Sequence, residues 1–169
     1  MLAPSLPMAR LLRPMDALPV PSPRGLWFEE FEPGQVYRSA ERTCTQADVE
    51  AFADLTGDRN PIHLDPAVAA RTPFRGRIAH GLLVESLASG LAWEMGIFRE
   101  TIVALSRIEI EFAAPLRPPA AMRLRMAVLE LESEPGRKRG WVSFSTEVES
   151  AGAIVLRGRW FVVVQRRRA

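Results

Sequence analysis

The segment from Leu82 to Met95 does most to narrow the folds open to this chain. Leu82, Leu83, Leu87, Leu91 and Met95 fall near helical spacing, with Ala88 and Ala92 between them. The polar exceptions are Glu85, Ser86, Ser89 and Glu94. Apolar residues occupy more than one stripe, so this helix must be largely buried rather than laid on a surface. Directly after it the hydrophobic period falls from 3.6 to 2. Ile108, Ile110 and Phe112 alternate with Arg107, Glu109 and Glu111, and Leu124, Met126 and Val128 alternate with Arg123 and Arg125. Val142, Phe144, Thr146 and Val148 form a third alternating run, and Ile154, Leu156, Trp160, Val162 and Val164 a fourth. Turns are expected at Glu134-Pro135-Gly136 and at Ala151-Gly152. Four strands in succession predict an antiparallel, meander-like sheet with one polar face. A fifth, weaker strand runs from Gln35 to Thr43. The economical way to hide the helix is to wrap this one five-stranded sheet around it, an α+β arrangement.

The remaining segments fit one domain over residues 25–169. Thr45-Gln46-Ala47-Asp48 resembles a capping box, and the helix after it carries Val49, Phe52, Ala53 and Thr56 on one face until Gly57 stops it. Residues 58–63 read as a loop. Asp65-Pro66 reads as a cap and first-turn proline opening a short helix, Pro66 to Ala70. Residues 1–24 form a leader in which Pro4, Pro7, Pro14, Pro19, Pro21 and Pro23 block regular structure, so it is expected to be extended or disordered. It has no apolar run of the length a secretory signal needs.

Composition excludes more than it assigns. No stretch reaches the roughly 18–20 apolar residues of a membrane span. The single cysteine, Cys44, rules out an internal disulfide framework and points to a reducing cytoplasm. The pI of 9.3 accompanies a net charge of only +2. Lys138 is the only lysine beside many arginines, so few groups titrate above neutrality, and nucleic-acid binding is not indicated. Arg137-Lys138-Arg139 and Arg166-Arg167-Arg168 read as a solvated turn and a solvated tail, or as contacts to a phosphorylated ligand.

Chemistry concentrates between residues 58 and 81. The only two histidines, His63 and His80, lie there with Asp58, Asn60 and Gly81. Asp58 and His63 are separated by an Asn-Pro turn that can bring both onto one water, as an acid/base pair near neutral pH requires. The alternative is that Asp58 caps a turn and His63 is a structural residue. A metal set of His63, Asp65 and Asp58 is conceivable, but two histidines without a cysteine weigh against it, and no metal is expected. Gly81 opens the buried helix, where unpaired amides can hold a developing oxyanion; simple backbone permissiveness also explains a glycine there. Ser89 is either a tolerated small polar residue or a support for the Asp58 carboxylate.

Phe52-Ala-Asp-Leu-Thr-Gly57-Asp58-Arg-Asn60-Pro61-Ile-His63, then Asp65-Pro66, then Ile78-Ala-His80-Gly81-Leu resembles the hydratase 2 motif of the MaoC-like dehydratases, which include the (R)-specific enoyl-CoA hydratases. The resemblance runs from about Leu26 to the end, and residues 26–35 look like the usual opening of single-domain members. It implies a hot-dog fold, a dimer and an acyl-CoA substrate, with no cofactor beyond the coenzyme carried by the substrate. Asp58 and His63 match the catalytic pair. Gly81 matches the glycine whose amide binds the thioester oxygen. Asn60, His80 and Ser89 match supporting positions. One departure is the absence of the proline that many relatives carry next to Ile78, and it bears on chain-length preference rather than reaction class. The expected activity is (R)-specific hydration of trans-2-enoyl-CoA, or the reverse. A dehydratase for carrier-protein, branched or dicarboxylic thioesters is the near alternative. A non-catalytic thioester-binding subunit is the distant one, and the intact Asp58, Asn60, His63 and Gly81 set argues against it. A thioesterase would need a carboxylate on the central helix, where Glu85 and Glu94 are the candidates.

Overall fold

The computed structural model describes residues 24–134 and 136–167. The leader expected over residues 1–24, except Arg24, lies outside them, as do Pro135 of the predicted turn and Arg168 of the basic tail. A single 3₁₀ turn, Phe28–Glu30, leads into β1 (Val36–Arg38) and β2 (Arg42–Cys44). Three helices follow, α1 (Gln46–Thr56), α2 (Pro61–Leu64) and α3 (Pro66–Ala70), and then the long α4 (Gly81–Glu94). The chain ends in β3 (Ile102–Phe112), β4 (Ala120–Glu132), β5 (Arg139–Ser150) and β6 (Ala153–Gln165).

All pairings are antiparallel, in the order β1-β4-β5-β6-β3, with β2 also on β4. The sheet curls around α4, the hot-dog arrangement that the resemblance implies. Two details differ from the expected meander. The strand predicted over residues 35–43 is split in two, because Ser39 turns its hydroxyl to the Ala40 carbonyl and accepts the Leu124 amide, interrupting the ladder. The sheet therefore has six strands instead of five. Strand β3 pairs with β6 and not with β4. The proline-rich crossover of residues 113–119 carries the chain from one side of the sheet to the other.

The predicted local signals hold where their chemistry is local. Thr45 and Asp48 form the reciprocal capping box of α1, and Gly57 closes it at φ 77°. Ala151 and Gly152, both at positive φ, make the tight β5–β6 turn. The core lies between α4 and the concave face of the sheet. Phe144 sits at its centre, edge-on to Phe31 and Phe98 at 5.7 Å between ring centroids in each case. Cys44 is fully buried, and burial pushes its thiol up to about 11, so it is not a nucleophile at neutral pH.

The helix is not buried all round. Leu83, Val84, Leu87, Ala88, Leu91 and Ala92 face the sheet, but Leu82 and Trp93 are more than half exposed. Glu85, a polar exception in the pattern, is buried; Trp160 Nε1 donates to its Oε1 at 2.6 Å. Burial raises the Glu85 carboxyl above the usual range, partly offset by that bond. On β3 Val103, Leu105, Ile108 and Phe112 are exposed, while Ile102 and Ile110 pack against the core. Strand β3 stands at the edge of the sheet, with no further strand beside it among the described residues.

Candidate active site

The site forms where the N-terminus of α4 meets the end of β3 and the loop after α1. Asp58 follows the left-handed Gly57, which ends α1 sharply and throws the carboxylate into the open; its side chain is 54% exposed. Residues 61–63, predicted as loop, belong to one helical turn, Pro61–Leu64, instead. Asn60 caps that turn by accepting the Ile62 amide at 3.2 Å, and Pro61 fits its first position. His63 thereby comes to rest on a rigid turn and is buried.

The hydrogen bonds fix the histidine tautomers. His63 Nδ1 lies 2.8 Å from the Ile78 carbonyl, which can only accept, so Nδ1 carries the proton and Nε2 presents a lone pair. His80 Nε2 lies 2.9 Å from the Asp58 carbonyl and donates to it. His80 thus pins the backbone of Asp58, while its Nε2 stands 4.0 Å from the Asp58 carboxylate. The two imidazoles stack with centroids 3.8 Å apart, and Phe52 covers His80 at 5.1 Å. Burial, the largest influence, holds His63 below the ordinary histidine value of 6.5; the Ile78 carbonyl opposes this, His80 reinforces it, and Asp58 also opposes it. The ring is therefore neutral at pH 7 and able to accept a proton.

Asp58, His63 and His80 offer ligand atoms within 4.8 Å of one another, a separation that one water or one cation can bridge. They open into a cavity of about 510 Å³ lined largely by apolar side chains. Gly81 is the first residue of α4, and its amide has no hydrogen-bond acceptor among the described residues. A side chain at this position would collide with Phe112, whose ring carbon would lie 2.5 Å from its Cβ. The absent side chain lets the Phe112 ring lie against the start of the helix, and Gly81 lines the cavity.

Four of the six sequence-predicted residues, Asp58, His63, His80 and Gly81, line this cavity, and Asn60 caps the turn that carries His63. Ser89 does not join them. Its hydroxyl donates to the Ser86 carbonyl at 2.8 Å, and it lines a separate small pocket with Trp93, Leu105 and Trp160. Helical geometry explains this, since Ser89 lies on the exposed Leu82–Trp93 side of α4 and not over Gly81. Sequence reading missed Phe74, Phe112 and Leu116, which wall the cavity. Their signal was weak: isolated apolar residues in or beside proline-containing loops, far apart in the chain.

A helix in a curled antiparallel sheet, with this site at the helix N-terminus, defines a hot-dog protein of the hydratase/dehydratase kind. The sequence profile of the MaoC like domain matches residues 29–150, and the chain belongs to the MaoC-like dehydratase family. It is 35% identical to 3-hydroxybutyryl-CoA dehydratase of Methylorubrum extorquens, over 88% of this chain and 90% of that one. It is 30% identical to the (R)-specific enoyl-CoA hydratase of Rhodospirillum rubrum, over 83% and 93%. The crystal structure of a MaoC-like dehydratase from Rhodospirillum rubrum superposes with a TM-score of 0.77 at 26% identity, covering 86% of this chain and all of the other.

Proposed function

We propose that the protein is a hydro-lyase that adds water across the double bond of trans-2-enoyl-CoA to give the (R)-3-hydroxyacyl thioester, or runs the reverse dehydration. The observation that carries this reading is the facing pair of acceptors: the Asp58 carboxylate and the free Nε2 of His63, with a donor amide at Gly81 opening into the same cavity. A water held between Asp58 and His63 gives up a proton as its oxygen attacks C3. Electron density moves onto the thioester oxygen, where the Gly81 N–H and the helix dipole stabilise it. A proton then returns to C2, balancing the addition. His80 is a positioning residue that acts through the Asp58 backbone. No cofactor enters this scheme, since coenzyme A is part of the substrate. The named relatives support the reaction class.

The test is the absorbance of crotonyl-CoA in the presence of the protein, with chiral analysis of the product. Loss of the conjugated band with an (R) product is expected. An (S) product, or an unchanged band with crotonyl-CoA and with longer, branched and carrier-protein enoyl thioesters, refutes the reading.

We further propose that the enzyme works in the cytoplasm as a homodimer joined along β3. An exposed edge strand bearing Val103, Leu105, Ile108 and Phe112, beside Leu82 and Trp93, leaves both backbone donors and apolar area uncovered. Pairing two such edges covers both. Among the described residues no helix is long and apolar enough to cross a membrane. Ile108→Arg is expected to shift the protein from dimer to monomer in light scattering. An unchanged dimer would place the interface elsewhere.

A further inference from the structure

Residues 66–84 and residues 112–129 both lack acids. They converge at the mouth of the catalytic cavity: Phe74, Ile78 and Gly81 come from the first, Phe112 and Leu116 from the second. They are stitched together by the Ala79 amide on the Leu116 carbonyl at 2.8 Å. Arg117 Nη1 also donates to the Phe74 carbonyl at 2.5 Å and lies 3.7 Å from where a Cβ on Gly76 would stand. Between those two anchor points the backbone carries Arg75 at φ 53°, a left-handed conformation unusual for arginine.

Many arginines of the described surface answer carboxylates: Arg125 with Glu147, Arg157 with Glu111, Arg166 with Glu29. Among the described residues, Arg71, Arg75, Arg77 and Arg117 have no carboxylate within ion-pair distance. Arg77 Nη1 turns to the Leu64 carbonyl instead, at 3.5 Å. Arg75 follows Phe74, Arg77 precedes Ile78 and Arg117 follows Leu116, all three neighbours lining a largely apolar cavity, and Arg117 is held against the Phe74 carbonyl. Guanidinium forks match phosphate oxygens two at a time.

We propose that Arg75 and Arg117, flanked by Arg71 and Arg77, anchor the phosphates of the substrate's carrier arm. The inference rests on the reading of the site as a thioester hydratase. With the thioester carbonyl at Gly81, the arm leaves over the rim formed by Phe74 and Leu116, where the arginines follow directly in sequence. The acyl chain then occupies the apolar interior, and the charged end stays at the mouth. The arm's phosphate has two sources, coenzyme A and the phosphopantetheine of a carrier protein, and the chemistry they share is a phosphate ester beside pantetheine.

The experiment compares crotonyl-CoA, crotonyl-phosphopantetheine and crotonyl-pantetheine on the wild type and on a double variant, Arg75→Gly with Arg117→Gln. Glycine accepts the left-handed backbone, and glutamine keeps an N–H for the Phe74 carbonyl, so thermal melting should confirm an intact fold. The kcat/KM preference for the CoA thioester over the pantetheine thioester should fall about tenfold or more, as loss of charge-assisted bonds implies. The KM for crotonyl-CoA should also lose most of its dependence on salt. A fall for CoA alone assigns the rim to the nucleotide end; a fall for phosphopantetheine as well assigns it to the phosphate that both carriers share. An unchanged preference overturns the proposal. If the wild type hydrates none of the three, the reading of the site fails instead. Calorimetric titration of free coenzyme A then decides the rim by itself: weakened binding in the variant supports it, and equal binding refutes it.

Discussion

Asp58→Asn is expected to lower kcat for crotonyl-CoA hydration by a factor on the order of 10²–10⁴, the contribution typical of a positioned acid/base group. Asparagine keeps the shape of aspartate and can still accept the Asn60 amide, which lies 3.3 Å from Oδ1. The side chain is exposed, so the melting temperature should hardly move. A variant that melts normally and retains near-normal turnover would remove Asp58 from the chemistry. The same site sets the acid limb of the pH profile. His63 titrates below the ordinary value of 6.5 because it is buried. It is therefore neutral above that value, and kcat/KM should fall only when the pH drops below it. Stability has the same sign. The unfolded chain binds the proton more readily than the folded one, so the contribution of His63 is present above 6.5 and is lost as the pH falls through the lowered folded value. His63→Gln should flatten this acid dependence of the melting temperature; an unchanged slope would assign it to other groups.

Phe144→Ala is expected to destabilise the fold by about 3–5 kcal/mol, the usual range for truncating a buried phenylalanine. The ring is fully buried and meets Phe31 and Phe98 edge-on, so truncation forfeits two aromatic contacts and opens a cavity at the helix–sheet junction. That is a large part of the stability a domain of this size has. Urea unfolding monitored by circular dichroism measures it. A loss below about 1 kcal/mol, no more than a typical point substitution, would mean that the core closes around the gap.

The site was more legible in the sequence than the sheet. Asp58, Asn60, His63, His80 and Gly81 are close in the chain, and their arrangement depends on short-range rules: a glycine stop, an asparagine cap, a first-turn proline. Such rules act within a few residues and survive any tertiary context. The position of β3 was not legible, because its alternation is equally satisfied beside β4 or β6. Only the crossover of residues 113–119 decides between them. The role of Glu85 was not legible for a related reason: its partner, Trp160, is distant in sequence, and a helical pattern carries no sign of it. Ser89 shows the limit of transferring a motif by position. Its spacing from Gly81 is right, but within this chain its hydroxyl donates to the Ser86 carbonyl and it lines a different pocket. Phe112 marks the boundary from the other side. The sequence has it as one more apolar residue in a strand, while the structure lays its ring where a side chain at position 81 would have to go.

The stacked pair of imidazoles has a practical consequence. The chain has two histidines, and both stand in the site. A histidine-selective nuclear magnetic resonance spectrum of this protein is therefore a spectrum of the candidate site alone, without background from the rest of the surface. The Nδ1 proton of His63, shared with the Ile78 carbonyl in a buried position, should exchange slowly enough to be seen directly. Its shift on adding a thioester, and the titration of the His63 ring, would report ligand and proton traffic at the site without any label beyond nitrogen-15.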